Sequence, residues 1–163
     1  MKPFHELLET SAVTHGHLCP GQVVGVRMAM LGCRLIGLDE PTRRDQIKKL
    51  IVYVEMDRCT ADAVAHVTGV KLGRRSLKFM DYGIMAPTFL NLATGKSLRE
   101  VSTEEAQQMA RRLAREEGLP AGTSGGAAIA AALKVAKGLT AGVVVAILPD
   151  NVMKTLADPQ FEE

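Results

Sequence analysis

Two imidazoles and a thiol lie within five residues near the start of the chain, in the segment His15-Gly16-His17-Leu18-Cys19-Pro20-Gly21. Imidazole nitrogen and thiolate sulfur bind transition metals, and a thiolate is also a strong nucleophile. Proline is favoured at the first position of a helix, so Pro20 is predicted to begin a helix that Cys19 caps. The partial positive charge at that helix terminus favours the thiolate form of Cys19.

A second thiol is predicted at a second helix N-terminus. The apolar, β-branched run Leu50–Val54 has the length and composition of a strand buried on both faces. It leads through two carboxylates, Glu55 and Asp57, to Cys59, and Thr60 is predicted to cap the helix that follows. If this corner meets the first one, two thiols and the nearby imidazoles form a metal site, most simply for zinc.

The candidate metal ligands are therefore His15, His17, Cys19 and Cys59. Three protein ligands and an open position would make a catalytic site, four would make a structural one, and the sequence leaves both open. A rival hypothesis is an enzyme in which Cys19 is a catalytic nucleophile or redox thiol activated by His17. Two further alternatives are a non-catalytic assembly subunit of a larger oxidoreductase and a purely structural role, with Cys59 as a buried thiol.

Two amphipathic or apolar helices are predicted to position the first corner. Phe4–Thr14 has an apolar face, and residues 20–37 are apolar nearly all round, as in a buried helix. The second helix carries a stripe of small residues at spacings of four and three, formed by Gly25, Ala29 and Gly32. This stripe is either a face for a dimer partner or another helix, or part of a crowded core.

Two other titratable side chains are expected to be structural. Cys33 lies in the middle of the apolar second helix, where a thiol behaves as a small inert hydrophobe. His66 follows Asp62 by one helical turn, so the pair is expected to interact on the helix surface.

Strand patterns after residue 76 predict an α+β fold with a mixed or antiparallel sheet and packed helices. The candidate strands are Leu77–Tyr82, Ile84–Leu92 and Leu98–Val101, with a turn at Thr94-Gly95. Because proline donates no backbone hydrogen bond, Pro87 makes its strand an edge strand or a bulged one.

The pattern changes at Ser102, so residues 1–102 are interpreted as a metal-binding α+β core and residues 103–163 as an appended α-β-α-β segment. Ser102 and Glu105 form a capping box for a helix that ends at Gly118. A glycine-rich corner, Gly122–Gly126, precedes a second helix that reaches about Lys137. Val143–Leu148 is an apolar strand candidate.

Composition excludes several function classes. The 20 basic and 18 acidic residues are interspersed, and four Phe, two Tyr and no Trp offer no stacking platform, so no nucleic-acid partner is expected. Three cysteines are too few and too unevenly spaced for a disulfide framework, which indicates a reducing compartment and hence the cytoplasm. Neither a secretory signal nor a membrane span is expected. The short basic loop Lys71–Arg75 is a candidate for attracting an anionic small-molecule substrate.

Residues of about 3–102 resemble the E-subunit family of formylmethanofuran dehydrogenase. Three segments carry the resemblance: the histidine–cysteine motif continued to Ala29, the segment Glu55–Ala63, and Asp81-Tyr82-Gly83. The resemblance implies an α+β core that is often dimeric, so a homodimer is expected. It also implies a pocket lined by the motif and the later cysteine, with a metal bound there in some members.

The tail, about residues 105–156, resembles the C-terminal end of cysteine synthases and cystathionine β-synthases. The matching segments include Gly122–Ala128 and Val143–Asp150. The resemblance implies that Ser124 occupies the position of the serine that contacts the pyridine nitrogen of pyridoxal phosphate. No counterpart of the Schiff-base lysine segment or the phosphate loop is present, so pyridoxal phosphate binding is not expected and the tail is interpreted as a packing module.

Overall fold

The structure, a computed structural model, describes residues 1–99, 101–146 and 148. The chain divides into two compact units, Met1–Arg99 and Glu100–Glu163. Among the described residues, no helix combines the length and the apolar character needed to cross a membrane.

The first unit combines helices with a mixed sheet, as the sequence predicts. Its helices are α1 (Phe4–His15), α2 (Pro20–Leu35), α3 (Arg44–Ile47) and α4 (Cys59–Thr68). Its strands are β1 (Leu50–Glu55), β2 (Leu77–Phe79), β3 (Ile84–Asn91) and β4 (Ser97–Leu98), and a 3₁₀ turn at Leu72–Arg74 precedes β2. The α+β fold class is therefore confirmed.

The sheet has the strand order β2-β1-β3-β4, with β1 parallel to β2 and antiparallel to β3. The register between β1 and β3 shifts where Tyr53 pairs with Thr88 and Glu55 with Ile84. Pro87 lies within this shift, where its missing N–H breaks no ladder bond. Because β3 is flanked by β1 and β4, the bulged alternative is the one that the structure adopts.

The start of α2 agrees with the sequence prediction, whereas α4 begins two positions earlier than predicted. Cys19 is the extended N-cap residue of α2, and Pro20 is the first helical residue. At α4 the N-cap residue is Arg58, so the expectation that Thr60 caps this helix is wrong. The Thr60 hydroxyl instead donates a hydrogen bond of 3.3 Å to the carbonyl of Gly21, which draws α4 against α2.

The small-residue stripe of α2 packs inside the first unit. A Cβ atom at Gly25 would lie 2.7 Å from the Cβ of Ala63 on α4, and one at Gly32 would collide with the ring of Phe89 on β3. Ala29, between them, is fully buried. The stripe is therefore part of the crowded core, where missing side chains let helix and sheet backbones approach closely.

The second unit contains α5 (Thr103–Glu116) and α6 (Thr123–Lys137), which pack on each other. The predicted cap is present, because the Ser102 side chain accepts a hydrogen bond of 3.1 Å from the Glu105 amide. Gly126 allows the close approach, since a Cβ there would lie 2.8 Å from the amide nitrogen of Ala110.

The strand predicted at Val143–Leu148 does not form in the described residues 143–146 and 148, and Ile147 lies outside them. Val143 and Val145 are 90% and 83% exposed, so their side chains are not packed against another element of the described residues. A β-branched run needs a pairing partner to become a strand, and the sequence pattern does not reveal whether one is present. The described part of the expected α-β-α-β segment is thus a pair of helices.

Candidate metal centre

His15, His17 and Cys19 form a compact trio whose ligand atoms all lie within 4.8 Å of one another. The trio is created by a reversal of the chain, because α1 ends at His15 and Gly16 adopts a left-handed conformation with φ of 101°. Cys19 then caps α2. Ligands of a tetrahedral zinc ion lie about 3.5 Å apart, given the usual Zn–S and Zn–N lengths. Small side-chain rotations are therefore enough to bring the three donors around one ion.

His15 has the environment of a metal-binding imidazole. Its Nδ1 lies 2.8 Å from the Asp62 carboxylate on α4, while its Nε2 is buried and has no hydrogen-bond partner among the described residues. A buried polar atom without a partner is costly, so it points to a missing ligand. Metal-binding histidines commonly direct their second nitrogen to a carboxylate that fixes the ring. The residues present thus fit a metal ion.

The expected interaction between Asp62 and His66 is wrong, because Asp62 turns to His15 instead. His66 contacts two hydroxyl groups of α1, with ring nitrogens 3.0 Å from Thr10 Oγ1 and 3.3 Å from Thr14 Oγ1. Burial lowers the pKa of His66. The spacing of four residues makes contact between Asp62 and His66 possible on one helix. It does not reveal that hydroxyl groups of α1 face His66 from the neighbouring helix.

Cys59 joins the site from the start of α4. Its thiol hydrogen-bonds the Cys19 side chain, and this bond, together with burial, raises the pKa of Cys59. At Cys59 the neighbouring Cys19 side chain and burial therefore favour the neutral thiol over the thiolate, despite the position at a helix N-terminus. The structure therefore brings the two corners together, although Cys59 stands beside the compact trio and is not one of its members.

A buried amide that the sequence analysis missed holds the two corners in place. Gln22 on α2 is fully buried; its Nε2 donates a 2.7 Å hydrogen bond to the Cys59 carbonyl, and its Oε1 accepts one of 2.5 Å from Ser11. A Cβ atom at Gly21 would lie only 2.8 Å from the Cβ of Cys59. The available signal was an amide in the first turn of an otherwise apolar helix.

The carboxylates of the second corner are not close to the sulfurs in a ligand role. Glu55 is buried and forms two hydrogen bonds with the Arg99 guanidinium, one of them 2.7 Å long. Asp57 has a 61% exposed side chain and lies 3.7 Å from the Arg58 guanidinium. The charge of Glu55 is thus balanced by Arg99, and Asp57 faces solvent beside the site.

A cavity of about 470 Å³ adjoins the site in the first unit. Its polar lining residues are His15, Asp57, Arg58, Cys59 and Asp62. Its apolar lining includes Val54, Leu72, Leu77 and Phe79. This combination suits a small molecule that has a polar reacting end and an apolar body.

The remaining candidate residues lie elsewhere. Cys33 is fully buried on α2, and burial raises its pKa to about 12, so it stays a neutral core thiol. Ser124 is buried at the second residue of α6 in the second unit. The resemblance of the tail to cysteine synthases, with the position that it implies for Ser124, stays a prediction, and so does the expectation that no pyridoxal phosphate binds.

The chain is similar to a known protein family and to a curated protein. The family model FmdE, described as "Molybdenum formylmethanofuran dehydrogenase operon", matches residues 14–142. A protein of Archaeoglobus fulgidus named "Probable S-adenosyl-L-methionine-binding protein" is 33% identical over 85 residues. Those residues are 52% of this chain and 23% of the length of that relative.

Proposed function

Since the chain belongs to the FmdE family, we propose that it binds one divalent transition metal ion, most simply Zn²⁺, through Cys19, Cys59 and the imidazoles of the His15/His17 pair. The observation that carries the proposal is the state of His15. One ring nitrogen is held by Asp62, and the other is buried without a partner among the described residues. An imidazole held in this way is ready to donate to a metal.

The donor set selects the class of ion. Two sulfurs with one or two imidazoles suit zinc and other borderline or soft ions, and they disfavour magnesium and calcium, which prefer oxygen. A bound ion of this kind supplies a Lewis acid and lowers the pKa of water or of a substrate group. Asp62 orients His15, and the apolar residues that line the cavity would contact the apolar part of a substrate.

Exposure divides the two histidines into different roles. His15 is partly buried against Asp62, whereas His17 is exposed. We assign His15, Cys19 and Cys59 as the residues that would hold the ion, with the exposed His17 as a fourth donor. If only the first three held the ion, the fourth position would be open, as in a catalytic site.

Metal analysis of the full-length protein tests the proposal. Purified under reducing, zinc-replete conditions, the parent is expected to hold about one ion per chain, and Cys19→Ser and Cys59→Ser are expected to lose most of it. Cys33→Ala is the matched control, because it removes the third thiol from the core, and it should keep the metal. Substoichiometric metal in the parent, or full metal in both serine variants, would contradict the proposal.

A second candidate function is nucleophilic or redox catalysis by Cys19 with His17 as its base. The observation that favours it is the same proximity, because the ligand atoms of the two residues lie within 4.8 Å of each other. Alkylation by iodoacetamide distinguishes the two functions. A metal-bound thiolate should react only after the metal is chelated, whereas a free nucleophile should react quickly with or without chelator.

We further propose that the protein is a cytoplasmic homodimer. Val24, Leu31 and Leu35 lie along one side of α2 and are 38%, 42% and 44% exposed, which supports a second copy as their cover. The free thiols support a reducing compartment. Light scattering should give twice the chain mass for the parent and the chain mass for Leu31→Glu. A monomeric parent that co-purifies with a fixed partner would favour the assembly-subunit alternative.

A further inference from the structure

A second cavity, of about 680 Å³, lies at the opposite end of β1 from the metal centre. Leu50 and Ile51, at the start of the strand, line it, whereas Val54 near the strand's end lines the metal-side cavity. At a rise of about 3.3 Å per residue, Ile51 and Val54 are about 10 Å apart along the strand. The residues that line this second cavity come from α3, from the segment before β2, and from around the start of β1 and the end of β3. They are Arg44, Ile47, Lys48, Leu50, Ile51, Arg74, Arg75, Ser76 and Leu92.

Among the residues that the structure describes, four cations and no carboxylate line this cavity. Arg44, Lys48, Arg74 and Arg75 are exposed, and none of them forms an ion pair with another residue in the described part of the chain. Neighbouring Arg43 shows the contrast, because it pairs with both Asp45 and Glu40. Cations gathered without counter-charges repel one another, and an anion in their midst relieves that repulsion.

The backbone at Arg75 is a second and independent sign of a function. Arg75 is the only residue other than glycine with a positive φ in the described chain, at 57°. Glycine or asparagine takes this left-handed conformation at lower cost than arginine. The turn imposes this conformation. The Arg75 amide donates a 2.8 Å hydrogen bond to the Leu72 carbonyl, and the Val52 amide on β1 donates one of 2.9 Å to the Ser76 carbonyl. Residues in such sparsely populated conformations cluster at functional sites.

The apolar part of the cavity narrows the class of ligand. Ile47, Leu50, Ile51 and Leu92 contribute aliphatic surface next to the cations. The volume lies within the roughly 300–1,000 Å³ of small-molecule sites. One guanidinium group can donate two parallel hydrogen bonds to two oxygens of the same phosphate. No aromatic side chain lines the cavity, so it lacks the stacking surface that favours single-stranded nucleic acid.

We propose that this cavity binds a small molecule that carries a phosphate group on an apolar body. The phosphate lies among the guanidinium and ammonium groups, and the apolar part covers the aliphatic floor. The site is separate from the metal centre and uses none of its ligands.

Titration of the isotope-labelled full-length protein tests the proposal by nuclear magnetic resonance, with phenyl phosphate, inorganic phosphate and phenol as three probes. Phenyl phosphate is expected to produce saturable shifts at Lys48, Ile51 and Arg74–Ser76, with a Kd about tenfold below that of either fragment. Added salt should raise the Kd. Shifts that never saturate and spread over all surface cations would overturn the proposal, as would tighter binding of a single-stranded oligonucleotide at the same residues.

Two variants separate binding from folding. Arg75→Gly removes the cation and the left-handed strain together, so its melting temperature should equal or exceed that of the parent while the Kd for phenyl phosphate rises about tenfold. Arg44→Gln should weaken binding from the other wall without touching the turn. Arg34→Gln, an exposed arginine on α2 outside the cavity, is the control and should leave the Kd unchanged. An unchanged Kd in Arg75→Gly and Arg44→Gln would refute the proposal.

Discussion

The two ends of β1 carry opposite chemistry and are built in opposite ways. Near its end, the thiol and imidazole donors are held by partners, since Asp62 fixes His15 and Gln22 fixes the Cys59 carbonyl. At its start, exposed cations on long side chains have no carboxylate among the cavity-lining residues. Donors that are held in one geometry suit a metal ion with a fixed coordination. Exposed cations on long side chains suit an anionic small molecule, because they can adjust to its shape.

The largest effect is expected for Gln22→Ala at the metal end. The change leaves a buried cavity and removes the partner of Ser11 and of the Cys59 carbonyl, so the free energy of unfolding should fall by about 2–4 kcal/mol. Denaturant unfolding measures it. Gln46→Ala is the matched control near the basic end, where the side chain accepts one exposed hydrogen bond of 2.9 Å from the Glu40 amide. Equal decreases in the free energy of unfolding for the two variants would show that side chains at the metal end of β1 are held no more firmly than those at the basic end.

A smaller loss is expected for Gly21→Ala. The new Cβ would stand 2.8 Å from the Cβ of Cys59, so α2 and α4 must separate, at a cost of about 1–3 kcal/mol and some metal affinity. Gly73→Ala tests the basic end, where nothing lies within 4 Å of an added Cβ. Thermal unfolding should show little change for Gly73→Ala, and a stable Gly21→Ala that keeps its metal would show that the helices do not need this close approach.

Asp62→Asn is expected to act on metal affinity more than on folding. The amide holds His15 more weakly and lacks the negative charge, so competition with a chelator should show a metal affinity about 10–100-fold lower. Asp57→Asn removes an exposed carboxylate of the same corner and should leave the affinity within about twofold. Equal affinities for parent and Asp62→Asn would mean that His15 is not a ligand.

The smallest effect is expected when a residue at one end of β1 is substituted and ligand binding at the other end is measured. Cys19→Ser should leave the Kd for phenyl phosphate unchanged, and Arg75→Gly should leave the metal content unchanged, because no residue lines both cavities. Additivity holds for sites without shared partners. A change in either readout would show that β1 or the Leu72–Arg74 turn couples the two ends.

Local chemistry in the sequence predicted much of the metal end. The Cys19–Pro20 helix start depends on neighbouring residues, and the strand from Leu50 was visible from its β-branched run. The contact between the two thiols was expected as a hypothesis, and the family resemblance was confirmed by the match over residues 14–142. The helix start and the strand needed only local sequence, whereas the thiol contact depends on the packing of α2 on α4.

Features that depend on tertiary packing were not predicted. Asp62 had two histidines within reach, and only the packing of α1 on α4 decides that it bonds His15 rather than His66. The basic loop was recognised as a candidate anion site, but its cavity also needs Arg44 and Lys48, which pairing of β1 with β2 brings beside it. The strand predicted at Val143–Leu148 does not form in its described residues, again because the outcome depends on tertiary packing. An apolar run in the sequence does not show whether another strand is available to pair with it.

X-ray absorption spectroscopy of the zinc-loaded full-length protein tests the central claim most directly. The account predicts a shell of two sulfurs at about 2.3 Å and one or two imidazole nitrogens at about 2.0 Å, with one sulfur lost in Cys19→Ser and one in Cys59→Ser. A shell of oxygen and nitrogen alone, or a sulfur count that stays at two in the Cys59→Ser variant, would contradict it.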